Sequence, residues 1–176
     1  MRMRSILLTL LLFIMSGCSN MKIEDYAAFE PKFDLFAYFQ GNTRGWGVFQ
    51  DRGGALKRQF VVDIKGEVNK DGELVMTEDF VWNDGEKSQR VWRIRKQGEH
   101  GYSGRAADVV GEAQGAAYGN ALNWQYDLNL PVDGKVWQVH FDDWMYLQPD
   151  GVLLNRAKMS KFGFTLGEVT IAFQKK

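Results

Sequence analysis

The chain has 176 residues, enough for one domain with a sizeable core, and its 22 basic and 22 acidic residues balance to a formal charge of zero. That balance, with no run of Lys or Arg, leaves no electrostatic footprint for nucleic acid. A single cysteine excludes an internal disulfide and any cysteine-based zinc site.

The first element is an export signal over residues 1–17. Arg2 and Arg4 precede the apolar run from Ile6 to Ile14, and the small residues Ser16 and Gly17 lead into Cys18. This is the layout of charge, core and cleavage site that directs secretion, and the run is shorter than the roughly 20 residues a membrane span needs. Met15-Ser16-Gly17-Cys18 resembles the bacterial lipobox, which implies a palmitate-type acyl anchor on Cys18 and a lipid bilayer as partner. Ser19 is not the Asp that retains lipoproteins at the inner membrane, so the resemblance implies the outer membrane. Loss of Arg2 and Arg4 with the signal takes the mature chain from charge balance to −2.

Residues 18–33 read as the lipidated N-terminus and a tether, punctuated by Pro31. Asp34 to Phe39 reads as a helical turn or a short strand. Period-two alternation follows, clearest over Leu122-Asn123-Trp124-Gln125-Tyr126-Asp127-Leu128-Asn129-Leu130, where a strand places every apolar residue on one face. The same pattern marks Phe60, Val62 and Ile64; Leu74, Met76, Phe80 and Trp82; Trp92 and Ile94; Trp137, Val139 and Phe141; and Val169, Ile171 and Phe173. Between these runs stand turn signals: Asp51-Arg52-Gly53-Gly54, Asn69-Lys70-Asp71-Gly72, Asn83-Asp84-Gly85, Val132-Asp133-Gly134 and Pro149-Asp150-Gly151. About nine or ten strands joined by short turns predict an all-β antiparallel meander over 34–176. Closure into an up-and-down barrel removes its exposed edges.

Phe33-Asp34-Leu35, Tyr38, Gly41 and Trp46 together resemble the opening motif of lipocalins and related calycin barrels. There a helical turn leads to a glycine and a Trp that plugs the closed end. A late-strand Arg stacks on that Trp in such barrels, which for this chain implies a structural Trp46–Arg156 cation–π contact. A second resemblance, to a family of Gram-negative lipoproteins built on a domain of unknown function, runs through five motifs. They are Phe39 to Gly47, Asp108-Val109-Val110-Gly111, Gly119-Asn120-Ala121, Phe141-Asp142-Asp143-Trp144-Met145 and Lys161-Phe162-Gly163. It implies one whole-length lipocalin-like domain and brings no established activity.

Catalytic and metal motifs are missing. His100 and His140 are the only histidines, and His140 shares a polar face with Gln138 and Asp142, so no zinc-ligand set forms. No Gly-x-Ser-x-Gly elbow occurs, and the neighbouring carboxylates of Asp142-Asp143 and Glu78-Asp79 point to opposite faces of a strand. The glycines of 111–119 lack a phosphate-loop context and suit a bending strand or interior room instead. No cofactor is expected.

Glu78 falls in register with Leu74, Met76, Phe80 and Trp82, an inward position where a carboxylate must be paired or neutralised. With Glu78, the aromatic set Trp82, Trp92, Trp124, Tyr126, Trp137 and Phe141 forms either a packed core or the lining of a cavity. Three functions stay open at this point. The first is an anchored, non-enzymatic barrel binding an apolar or lipid-derived ligand. The second is a partner-binding lipoprotein with a filled core, and the third an enzyme acting on lipid or fatty-acid substrates.

Overall fold

The computed structural model describes residues 21–132 and 134–176. The expected signal peptide, Cys18, Ser19 and the turn residue Asp133 lie outside the described residues.

Ten antiparallel strands follow in chain order: β1 (Gly41–Asp51), β2 (Leu56–Val68), β3 (Leu74–Trp82), β4 (Lys87–Gln97), β5 (Gly101–Arg105), β6 (Val109–Tyr118), β7 (Ala121–Val132), β8 (Lys135–Leu147), β9 (Leu153–Lys161) and β10 (Phe164–Lys175). Each pairs with its neighbours in sequence, and β1 closes on β10 from Thr43–Lys175 to Asp51–Gly167. The sheet is a closed up-and-down barrel, as the alternation and turn spacing predict. Closure satisfies both edges, which an open meander would leave unpaired.

Alternation fixes which side chains enter the barrel. Phe60, Val62 and Ile64 on β2 and Leu122, Trp124, Tyr126 and Leu128 on β7 are all buried. The predicted turns fall at hairpin tips, where Gly54, Gly72, Gly85 and Gly151 take positive φ. The glycine-rich stretch also has a packing reason. A Cβ on Gly115 would stand 2.4 Å from the Trp124 ring and one on Gly104 2.8 Å from it, so the bare backbone of β5 and β6 makes room for that indole.

One end is plugged by helix α1 (Leu35–Phe39). Asp34 caps it, its Oδ1 accepting from the Ala37 amide at 2.9 Å. Leu35, Tyr38 and Phe39 are buried beneath it, and Phe39 meets Phe173 edge-on at 5.6 Å. The Tyr38 hydroxyl lies 3.1 Å from the carbonyls of both Gly151 and Phe173, tying the plug to β10 and the β8–β9 turn. Part of the expected tether packs on the barrel too. Tyr26 lies 5.9 Å from Trp144 and 5.6 Å from Tyr146, and the Phe33 amide donates to the Gly119 carbonyl at 2.7 Å.

Trp46 is not the plug. Gly45 and Gly47 take the inward positions of β1, where a Cβ on Gly47 would meet the Phe60 ring at 2.1 Å. The residue between them must face outward, and Trp46 is 46% exposed. The guanidinium over its ring is that of Arg44, 5.9 Å from the centroid. Arg156 lies on the outward parity of β9 and donates to Glu168 at 2.7 Å. The expected Trp46–Arg156 contact is therefore corrected: each residue has another partner.

Candidate functional site

The barrel is hollow. A cavity of about 480 Å³ runs from α1 to the open rim, within the range of small-molecule sites. Its floor is Leu35, Phe39 and Phe173, and its mouth carries Phe49, Trp82 and Leu130. In the waist, Trp92 meets Trp124 at 5.8 Å and Tyr126 at 5.4 Å, both edge-on, while Tyr126 stacks on Phe141 at 5.2 Å.

Of the residues expected to line a cavity, Glu78, Trp82, Trp92, Trp124, Tyr126 and Phe141 do so. Trp137 does not. It shares the parity of Val139 and Phe141, but β8 pairs with β9 only from His140 onward, so Trp137 stands on the rim, 38% exposed. The Lys161 ammonium covers its ring at 4.8 Å.

A polar belt crosses the aromatic waist, and sequence reading found only part of it. Glu78 on β3 sits opposite Arg90 on β4. Arg90 donates from Nε at 3.0 Å and Nη2 at 2.7 Å to one oxygen of Asp108, in the loop between β5 and β6. Asp143 on β8 is 5% exposed, and Asn155 on the neighbouring β9 is 4% exposed. The Oδ1 atoms of Asp108, Asp143 and Asn155 are buried without a hydrogen-bond partner. Arg90 shares the parity of Trp92 and Ile94, Asn155 that of Leu153 and Ala157, and Asp143 that of Phe141, so alternation points all three inward. Asp108 belongs to a loop and carries no periodic signal.

Charge in this belt is strained by burial. Desolvation pushes the Glu78 carboxyl up to about 7 against the pull of Arg90, with Asp108 adding to the rise. Asp143 is likewise raised to about 7 by burial and by Asp142, with Arg90 opposing. Burial holds the Tyr126 phenol well above its ordinary value, with Asp143 adding to the rise. The belt can thus hold carboxyl groups protonated near neutrality, or ionise them when a cation arrives.

Neither histidine joins it. His140 bonds Asp127 at 2.8 Å on the outer wall, and His100 stacks on Tyr118 at 4.0 Å.

Fold and hollow interior together define a lipocalin-like barrel. The chain belongs to the family described as "Protein of unknown function (DUF3833)", whose model matches residues 12–175. Among solved structures it is similar to a protein of unknown function from the DUF3598 family of Nostoc punctiforme, at 13% identity and a TM-score of 0.61. That likeness covers 84% of this chain but 51% of the other, so the chain spans about half the length of the Nostoc protein. It is also similar to the S-type phycobiliprotein lyase of Guillardia theta, at 9% identity and a TM-score of 0.61, covering 81% of this chain and 90% of that one. At these identities the likeness shows the fold alone. No curated protein matches the chain.

Proposed function

We propose that this protein is a non-enzymatic binding barrel that holds an apolar, lipid-derived ligand at the cell envelope, anchored through an acyl group on Cys18. The observation that carries the reading is the cavity of about 480 Å³, walled by aromatic and aliphatic side chains around one polar belt. That combination of apolar wall and few convergent polar groups characterises small-molecule sites. A filled core, the rival structural reading, leaves no such space. Catalysis on lipid draws less support, because both histidines lie outside the cavity and, among the described residues, no nucleophile–base pair enters it.

The anchor and the barrel also fit one another geometrically. Lys22 follows Cys18 by four residues, at most about 14 Å of extended chain. The chain from there packs beside the plugged end, against Gly119 and Tyr146. An acyl group on Cys18 would set the plugged end towards the bilayer and turn the mouth away from it.

Native mass spectrometry of the full-length protein, extracted gently from envelope membranes, tests the proposal. The expected spectrum shows a chain beginning at an acylated Cys18 and carrying one small-molecule adduct. An unprocessed N-terminus would refute the anchor, and a chain that never carries an adduct would refute ligand binding.

A further inference from the structure

We infer that the ligand is an amphiphile whose polar end is a protonated amine, received by the acceptor-rich belt formed by Glu78, Asp143 and Asn155. The inference rests on the ligand-binding reading above and names the chemistry that reading leaves open.

Charge count comes first. The groups around the waist are Glu78 on β3, Arg90 on β4, Asp108 before β6, Tyr126 on β7, Asp143 on β8 and Asn155 on β9. Arg58 on β2 also lines the cavity, at the mouth beside Ser88 and Gln89. It lies over Trp82 at 4.0 Å and pairs with Asp84 at 2.7 Å and Glu86 at 2.9 Å, its Nε without a partner. Within the waist three carboxyl groups thus face one guanidinium, and that guanidinium already spends Nε and Nη2 on Asp108. A ligand carboxylate or phosphate would add an anion beside two carboxyl groups that burial already keeps from ionising freely. An ammonium brings a positive charge against which both can ionise.

Hydrogen bonding points the same way. The side-chain oxygen of Asn155 is buried without a hydrogen-bond partner. Asp143 also keeps one oxygen without a partner, and both side chains are more than nine-tenths buried in the cavity wall. A buried acceptor without a donor is costly, so both side chains gain by turning these oxygens towards a ligand that supplies N–H groups. A primary ammonium offers three donors and no acceptor. The rings of Trp92, Trp124 and Tyr126 line the same space, and aromatic faces attract a cation.

Ionisation completes the fit. Burial holds Glu78 and Asp143 near neutrality in the empty barrel, and an arriving ammonium stabilises their charged forms. Apolar residues above and below the belt, from Phe39 and Phe173 to Phe80 and Trp82, leave room for the chain.

The test titrates the full mature protein at pH 7.5 with decylamine, 1-decanol and decanoate below their micellar concentrations, followed by calorimetry. Decylamine should bind at least tenfold more tightly than decanoate, roughly the worth of one charge-assisted hydrogen bond. The variant Glu78→Gln/Asp143→Asn keeps the shapes and removes the acidity. It should lose at least tenfold for decylamine while 1-decanol changes less than about twofold. Decanoate binding as tightly as decylamine would overturn the amine assignment and leave the apolar cavity reading standing. So would equal losses for amine and alcohol in the variant. Failure of all three chains to bind the wild type would overturn both.

Discussion

Arg90 and Asp108 bridge the barrel wall where β5 stops. β5 ends at Arg105, and β4 pairs with it only from Arg93 onward, so the upper half of β4, held by β3 on one side, has no strand on the other. The Arg90 Nε and Nη2 reach across to a single Asp108 oxygen at 3.0 and 2.7 Å, and Asp108's own carbonyl accepts from the Asn129 amide of β7. A side chain from the loop thus replaces the missing ladder, and the same pair neutralises the one guanidinium of the waist.

Replacing Asp108→Asn should therefore do two things. It loosens this corner, costing about 1–3 kcal/mol as a half-buried charged hydrogen bond is lost, read as a fall in thermal midpoint of roughly 2–4 °C per kcal/mol. It also frees Arg90, so decanoate affinity should rise relative to decylamine. An unchanged midpoint together with an unchanged preference would show that the pair neither closes the wall nor sets the charge balance.

Stability should fall as pH rises from 5 to 8. Glu78 and Asp143 have ordinary values of 4.5 and 3.8 but are raised to about 7 in the folded chain. Below about pH 4 both are protonated whether the chain is folded or not. Between about 4 and 7 the unfolded chain releases their protons and the folded chain keeps them. The stability tied to the neutral forms is thus lost as pH climbs to and through 7, roughly 5 kcal/mol between pH 5 and 8 for the two groups together. Asp34, held below its ordinary value by its bonds to Lys96 and the Ala37 amide against the opposing effect of burial, acts in the other direction and only at lower pH. Thermal melts at pH 5 and 8 should differ for the wild type and converge for Glu78→Gln/Asp143→Asn. A wild type equally stable at both values would contradict the assignment.

Phe162 takes a φ of 51° in the β9–β10 turn and is 89% exposed, so it bears left-handed backbone strain with almost no burial to offset it. Phe162→Asn should stabilise the fold by about 0.5–1 kcal/mol, a gain of roughly 2–4 °C in thermal midpoint. A lower midpoint would mean that the ring, which lies 5.2 Å from the Lys161 ammonium, contributes packing its exposure does not reveal.

Ala157 is 3% exposed and lies across from Asp143 in the cavity wall. Ala157→Leu should fill part of the hollow, leave the thermal midpoint within about 3 °C, and weaken decylamine binding at least tenfold. Undiminished binding in a folded variant would place the ligand elsewhere.

The strand plan was legible because the interior is mostly apolar, so each inward position of β2, β3 and β7 announces itself by period two. Tight turns were legible through their Asp-Gly pairs for the same local reason. Trp46 and Trp137 misled because an aromatic residue on a strand does not say where the wall begins or which face the neighbouring glycines have claimed. Gly45 and Gly47 yield the inside to Phe173 and Phe60 and push Trp46 out. Arg90, Asp143 and Asn155 shared the inward parity all along, but polar residues read as solvent-facing unless the register of their neighbours is trusted. Asp108 depends on a loop that turns a side chain inward across the end of β5, and only the assembled barrel shows that.

The central claim is that an apolar chain occupies the barrel, and contact quenching of tryptophan by a bromine-terminated decylamine tests it most directly. Trp82, Trp92 and Trp124 face the cavity, while Trp46 and Trp137 are exposed outside it. The account expects saturable quenching at one ligand per protein, of the buried, blue-emitting fraction only, and its loss in Ala157→Leu. Quenching that rises without saturation, or that falls on the exposed tryptophans alone, would contradict it.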